Sequence, residues 1–176
     1  YLVIGNPIEH SLSPKLHNYW IKINNIDAIY EKEQLNDEEL ESIIFKVKKN
    51  EIHGINVTVP FKNKIIPYID QLSPEAEQTK SVNTIYTSNN KIIGHNTDIA
   101  GFELSLKKLK YDVSGKKILI LGAGGVVPSI IFALNRMNVS KITVTNRTKK
   151  KAEKLKDRFN ELILADWGDV SDFDMI

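Results

Sequence analysis

Apolar positions in this chain alternate between strand-like and helix-like spacing from one end to the other. Leu2-Val3-Ile4 reads as a short strand, and residues 14–25 as a helix, with Ser13 as its expected N-cap and Pro14 at its first position. Residues 28–33 read as a second strand. Asn36-Asp37-Glu38-Glu39 then supplies a capping residue with an acid three positions on. Behind it Leu40, Ile43, Ile44 and Val47 fall on one stripe, which predicts a helix. Residues 52–59 predict a third strand, stopped by Pro60, with a short helix running towards Ile69. Residues 82–87 and 91–95 flank Ser88-Asn89-Asn90, a hairpin signal.

A helix is expected over residues 98–109, and Val113-Ser114-Gly115 breaks the chain into a second stretch of the same kind. There, strands are expected over 117–121 and 141–145, and helices over 126–137 and 148–159. Alternating strands and helices on both sides of the break predict an α/β protein of two units with largely parallel sheets. The expected division is residues 1–100, an α/β substrate domain, and 101–176, a Rossmann-type dinucleotide-binding domain incomplete at its C-terminal end.

Composition narrows the classes of function. Of 176 residues, 41% are hydrophobic and 26% charged, enough apolar mass for a buried core. Twenty-four Lys and Arg against 22 Asp and Glu give a net charge of +2, which offers no footprint for nucleic acid. No apolar run approaches the ~18 residues of a membrane helix. The absence of cysteine excludes disulfides, thiolate metal ligands and catalytic thiols. These features predict a soluble, cytoplasmic protein with neither nucleic acid nor membrane as partner. The chain opens on a strand with no basic leader. It stops at Phe173-Asp174-Met175-Ile176, which reads as the start of another strand, so a fragment of a longer protein is expected.

The sharpest chemistry lies at Gly122-Ala123-Gly124-Gly125, directly after an apolar strand and before a helix. Glycines let a backbone turn tightly and bring its N–H groups to a pyrophosphate, and the helix dipole adds favourable charge. Val127 occupies the third small-residue position of that fingerprint, so the helix is expected to stand further from the strand. Pro128 is tolerated in the first turn. NAD-binding units place an acid at the end of the next strand, on the ribose hydroxyl. Here the strand ends in Asn146-Arg147-Thr148, and Lys149, Lys150 and Lys151 follow. An arginine grips a 2′-phosphate, and Asn and Thr hydrogen-bond it, so NADP is the expected cofactor.

The first unit carries the groups for a polar substrate. Ser11 and Ser13 are two apart, so in an extended loop both hydroxyls point one way, toward a carboxylate or sugar-like acceptor. Asn56, Thr58 and Lys62 lie at the end of a strand and the start of the following helix, where ligands of open α/β sheets bind. A lysine in suitable surroundings donates a proton to a developing alkoxide, and Asp98 after Asn96-Thr97 is its natural partner. No metal-ligand spacing is present. The residue types point to an oxidoreductase acting on a small polar molecule.

Taken in order, Gly5-Asn6-Pro7, His10-Ser11-Leu12-Ser13-Pro14 with His17-Asn18, Gly54-Ile55-Asn56-Val57-Thr58-Val59-Pro60-Phe61-Lys62, Val82-Asn83-Thr84, Gly94-His95-Asn96-Thr97-Asp98, the glycine loop and Asn146-Arg147-Thr148 closely resemble the shikimate dehydrogenase family. The resemblance runs the length of the chain. It implies the NADPH-linked reduction of 3-dehydroshikimate to shikimate, a step towards chorismate and the aromatic amino acids. By the same resemblance Ser11 and Ser13 hold the substrate carboxylate, and Thr58, Asn83 and Asp98 hydrogen-bond its ring oxygens. Lys62, paired with Asp98, transfers the proton. Gly122, Ala123, Gly124 and Gly125 take the pyrophosphate, and Asn146, Arg147 and Thr148 the 2′-phosphate. His10, His17 and His95 are assigned structural hydrogen bonding.

Family members run longer than this chain, which implies further dinucleotide-domain strands, a loop against the nicotinamide and a late glutamine on the substrate. A 1–176 segment alone is expected to be inactive or poorly stable. A homodimer is admitted, not read, from the sequence. Two rival readings stand beside this one: an NAD-linked quinate/shikimate dehydrogenase, which Arg147 opposes, and a non-catalytic ligand-sensing module, which Lys62 and Asp98 oppose.

Overall fold

The apolar opening run becomes β1 (Leu2–Gly5), all four residues of which are buried. A strand covered on both faces needs neighbours on both edges to pair its backbone. In the computed structural model, β2 (Glu31–Gln34) and β3 (Gly54–Val57) flank it in parallel, with Leu2 opposite both Glu31 and Ile55. The structure describes residues 1–169 and 172–176. They divide into two units, Tyr1–Thr97 and Asp98–Ile176.

In the first unit, β4 (Gln71–Leu72), β5 (Thr84–Ser88) and β6 (Lys91–His95) complete a six-stranded sheet of order β2-β1-β3-β5-β6-β4. The expected hairpin is present, with β5 antiparallel to β6 and the turn residues Asn89 and Asn90 at φ 49° and 60°. That left-handed backbone is the one a two-residue hairpin requires, and asparagine tolerates it. β5 also runs antiparallel to β3, so this sheet is mixed, not largely parallel.

Helix α1 spans Ser13–Ile23. Its inner face is tied down by Asn18, which donates to Tyr30 O at 2.7 Å and accepts from Tyr30 N at 2.9 Å. The His17 ring stacks on Tyr30 at 4.1 Å between centroids. Its outer stripe, Leu12, Leu16, Tyr19, Trp20 and Ile23, is exposed. Ser13 is not the N-cap. The backbone is already right-handed helical at Leu12, which occupies that position, so Ser13 falls inside the helix.

A capping box joins Asn36 and Glu39, with Asn36 N donating to Glu39 Oε2 at 2.7 Å, ahead of α2 (Leu40–Lys48). Leu40, Ile43, Ile44 and Val47 are all buried against the sheet, as their spacing predicts. Each such burial is worth about 1.5–3 kcal/mol. A short helix, α3 (Pro74–Thr79), is capped by Ser73, whose Oγ accepts from Ala76 N at 3.2 Å.

The second unit begins with α4 (Asp98–Lys108) and continues as β7 (Lys117–Leu121), α5 (Val127–Arg136), β8 (Lys141–Thr145), α6 (Lys149–Lys156) and β9 (Ile163–Leu164). β7, β8 and β9 pair in parallel in that order. On the far edge of β7, Ile118 bridges Met175 in parallel and Leu119 N donates to Met175 O at 2.9 Å. The strand expected at residues 173–176 is represented there by this bridge. The core of the unit is Ile118, Val127, Ile131, Leu134, Ile142, Val144, Ala152 and Leu155, all buried. No helix among the described residues is long and apolar enough to cross a membrane.

Candidate functional site

In each unit strand addition reverses direction across the first strand, and the carboxyl ends of the strands at such a reversal leave a crevice for ligands. In the first unit the chain steps from β1 outward to β2, then returns to lay β3 on the other edge of β1. At the carboxyl ends of β1 and β3 lies a recess of 230 Å3, lined by Val3, Pro7, Ile8, His10, Ser11, Ser13 and Thr58.

Three hydroxyls therefore share one recess. Ser11 Oγ accepts from Ser13 N at 3.3 Å, which leaves its own proton to donate. Among the described residues no hydrogen bond engages the Ser13 hydroxyl, so the helix does not consume it. Thr58 is held from behind: its N–H donates to Ile4 O at 2.9 Å, and Asn6 N donates to Val59 O at 3.0 Å. Gly5 lets these strands close up, because a Cβ there would stand 2.7 Å from Thr58 Cγ2 and 2.9 Å from Ile8 Cδ1.

Lys62 follows Thr58 in the turn after β3, half-buried, between two fully buried anchors, Phe61 and Ile65. Phe61 N donates to Thr58 O at 2.9 Å, and Val82 N donates to Lys62 O at 2.7 Å. Asn83 is buried; its Oδ1 accepts from Thr97 N at 3.0 Å and Thr97 Oγ1 at 3.1 Å, fixing the residue before Asp98. Asp98 is half-buried and opens α4 in the second unit.

Asn56, expected near the substrate, is spent on the fold. Its Oδ1 accepts from Tyr30 Oη at 2.6 Å, and its Nδ2 donates to Asn83 O and Thr84 Oγ1, both at 3.2 Å. Burial pushes the Tyr30 hydroxyl up to about 12 and lowers the His17 pKa. His17 is structural through ring stacking, with its other neighbour Trp20 edge-on at 5.5 Å. His95 Nδ1 lies 4.0 Å from the Glu75 carboxylate, and His10 lines the recess.

In the second unit the reversal falls at β7, between β8 on one edge and Met175 on the other. The loop at its carboxyl end is Gly122 to Gly125. Gly122 sits at φ +116°, a conformation that L side chains rarely adopt, and its N–H donates to Thr145 O at 2.8 Å. Ala123 N donates to Asn146 Oδ1 at 3.1 Å. Those two N–H groups are spent inside the protein, whereas those of Gly124 and Gly125 meet no acceptor among the described residues. Neither Gly124 nor Gly125 has a positive φ, and a Cβ on either would meet nothing within 4 Å. The protein itself gives no steric reason for glycine here. Open space beside two N–H donors is what a pyrophosphate pressed against the backbone would fill, and NADP fits the loop on that ground.

Asn146 braces this loop to the segment beyond β8, since its Nδ2 donates to Thr148 O at 2.8 Å. Asn146, Arg147 and Lys149 line a second recess of 260 Å3, together with Ala152, Leu164, Ala165, Asp166 and Trp167. Arg147 and Thr148 are exposed, and Thr148 makes no side-chain cap bond. Val127, the departure from the glycine fingerprint, is buried in the core, and Val126 is the exposed N-cap of α5. Trp167 was missed in the sequence; a lone tryptophan past a two-residue strand carries no periodic signal. Among the described residues no cluster of three or more His, Asp and Glu side chains could hold a metal ion.

Comparison with known proteins places both units. The family described as "Shikimate dehydrogenase substrate binding domain" matches residues 3–85, and "Shikimate / quinate 5-dehydrogenase" matches residues 103–170. A Pelagibacter ubique protein named shikimate dehydrogenase (NADP(+)) is 60% identical over 176 residues, all of this chain and 66% of its own length. The crystal structure of shikimate dehydrogenase from Aquifex aeolicus superposes with a TM-score of 0.86 at 43% identity, covering 94% of this chain and 61% of that one. Shikimate 5-dehydrogenase from Listeria monocytogenes, solved with shikimate and NAD, gives 0.86 at 34% identity, over 96% and 61%. The chain thus spans about two thirds or less of the length of these relatives.

Proposed function

The chain belongs to the shikimate dehydrogenase family, and from that premise we propose that the protein catalyses the reversible, NADPH-dependent reduction of 3-dehydroshikimate to shikimate, on the way to chorismate and the aromatic amino acids. One observation carries the choice of chemistry. A three-hydroxyl recess stands at the switch point of the first sheet, and an open glycine loop backed by an arginine instead of an acid stands at that of the second.

Ser11 and Ser13 donate to the substrate carboxylate, which suits two hydroxyls at the start of α1 that line the recess together. Thr58, Asn83 and Asp98 hydrogen-bond the ring oxygens and set which face of the ring is presented. NADPH, when bound, supplies the hydride. Lys62 delivers the proton to the oxygen that gains charge at C3, and Asp98 supplies the carboxylate that orients its ammonium. The buried anchors Phe61 and Ile65 support this role, because proton transfer demands a donor held at hydrogen-bond reach. Gly124 and Gly125 offer N–H groups to the pyrophosphate, with Gly122 and Ala123 shaping the turn. Arg147 and Thr148 take the 2′-phosphate, braced by Asn146.

A cytoplasmic location and small-molecule partners alone belong to the same reading, supported by the cysteine-free composition and near-neutral charge. A homodimer is the assembly to test by sedimentation. The deciding experiment follows nicotinamide absorbance with the full-length gene product on shikimate and quinate, each with NADP+ and NAD+. Fastest turnover with shikimate and NADP+ is expected. Preference for NAD+ and quinate would favour the relaxed dehydrogenase, and shikimate binding without turnover in any combination would favour a sensor.

A further inference from the structure

We infer that Trp167 is the wall against which the adenine ring of the dinucleotide stacks, an assignment that rests on the NADP reading above. The recess beyond β8 and β9 has two unlike sides. From β8 come the cations Arg147 and Lys149; from β9 come Leu164, Ala165, Asp166 and Trp167. A phosphate is drawn to the first side and repelled from the second by the Asp166 carboxylate. The second side therefore suits the base, a flat apolar ring with amino and ring-nitrogen edges.

Trp167 is 62% exposed, so its indole adds little to the core, yet its backbone is held on both sides. Ala165 N donates to Val144 O at 3.1 Å, Thr145 Oγ1 donates to Asp166 O at 3.0 Å, and Asp169 N closes a turn onto Asp166 O at 3.1 Å. Gly168, third in that turn, sits at φ +98°, the position where a type II turn requires glycine. A fixed turn that presents a large aromatic to a recess beside an arginine is the arrangement that binds a purine: the ring stacks on the indole, and the guanidinium adds a cationic face.

The test uses adenosine 2′,5′-bisphosphate, which carries the base and the 2′-phosphate but no nicotinamide, titrated by calorimetry into the full-length protein. Trp167→Ala is expected to weaken its binding by roughly 5- to 150-fold, and Trp167→Phe to stay within about threefold of the parent. In a Trp20→Phe background Trp167 is the only tryptophan of this chain's two, and saturable quenching of its emission by the same ligand is expected. If Trp167→Ala binds like the parent while Arg147→Ala loses affinity, the stacking assignment is overturned and the NADP reading stands. Equal loss in the Ala and Phe variants also overturns it, since the turn and not the ring would then matter. If the parent protein does not bind the bisphosphate, both fall.

Discussion

Gly5→Ala strikes the substrate recess from behind, and its effect can be worked from the packing. The new methyl would lie 2.7 Å from Thr58 Cγ2, 2.9 Å from Ile8 Cδ1 and 3.1 Å from Val59 O, all inside the 3.4 Å at which ordinary contact begins. Gly5 has no positive φ, so the backbone itself accepts alanine and the damage is purely steric. The strands have little room to part, because Thr58 N→Ile4 O and Asn6 N→Val59 O lock them on either side of the contact. Overpacking of this kind costs about 1–3 kcal/mol. For a unit of the size of Tyr1–Thr97, each kcal/mol lowers the melting midpoint by about 4–8 °C. Relief by rotating Thr58 would turn its hydroxyl away from the substrate instead, trading stability for affinity. Calorimetric melting together with shikimate titration reads both, and Thr58→Ser, which deletes the closest methyl, is expected to restore much of the loss. A Gly5→Ala protein that melts with the parent and binds shikimate as tightly would refute the reasoning.

Arg147→Ala removes charge-assisted hydrogen bonds to the 2′-phosphate, so kcat/KM for NADP+ is expected to fall about 10- to 100-fold while that for NAD+ changes little. Gly124→Ala meets nothing within 4 Å, so melting is expected to be unchanged or slightly raised, yet NADP+ titration is expected to show at least about tenfold weaker binding as the methyl intrudes on the pyrophosphate. The His17–Tyr30 stack sets both limbs of a stability profile. The His17 pKa is lowered in the fold, so stability is lost as pH falls below about 6.5, when the unfolded imidazole protonates first; the Tyr30 pKa is raised to about 12, so stability is lost again as pH climbs from about 10. Urea midpoints across pH for His17→Phe and Tyr30→Phe are expected to flatten the acid and alkaline limbs respectively.

Elements that bury a periodic face were legible because their own residues carry the pattern. The α2 stripe with its Asn36–Glu39 box, the Asn89-Asn90 hairpin and the Lys117–Leu121 strand before the glycine loop all stand where spacing predicts them. β2 is the opposite case. Glu31–Gln34 has no apolar residue, and its extended form comes from pairing along β1, so its limits lay outside the reach of periodicity. β4 and α3 were overlooked although Ser73-Pro74-Glu75 holds a cap signal, because two- and six-residue elements offer too few positions for a period to show. At the site, the strands predicted before Thr58 and before the glycine loop were enough to place both at strand ends, whereas Ser11 and Ser13 read in sequence as an extended loop and Leu12 between them is right-handed helical. Asn56 misled because an asparagine at a strand terminus looks the same in sequence whether it faces a ligand or a buried tyrosine. Ser13 shows the same limit: which hydroxyl caps depends on where the backbone turns helical, and it does so one residue early.

Lys62→Ala tests the central claim most directly. Stopped-flow and steady-state turnover with shikimate and NADP+ should show kcat reduced by about 10²- to 10⁴-fold, the contribution of a positioned proton donor, with the shikimate dissociation constant moved by less than about tenfold. A variant that turns over at nearly the parent rate, or one that loses shikimate binding in proportion to turnover, would contradict the assignment of Lys62 as the group that moves the proton.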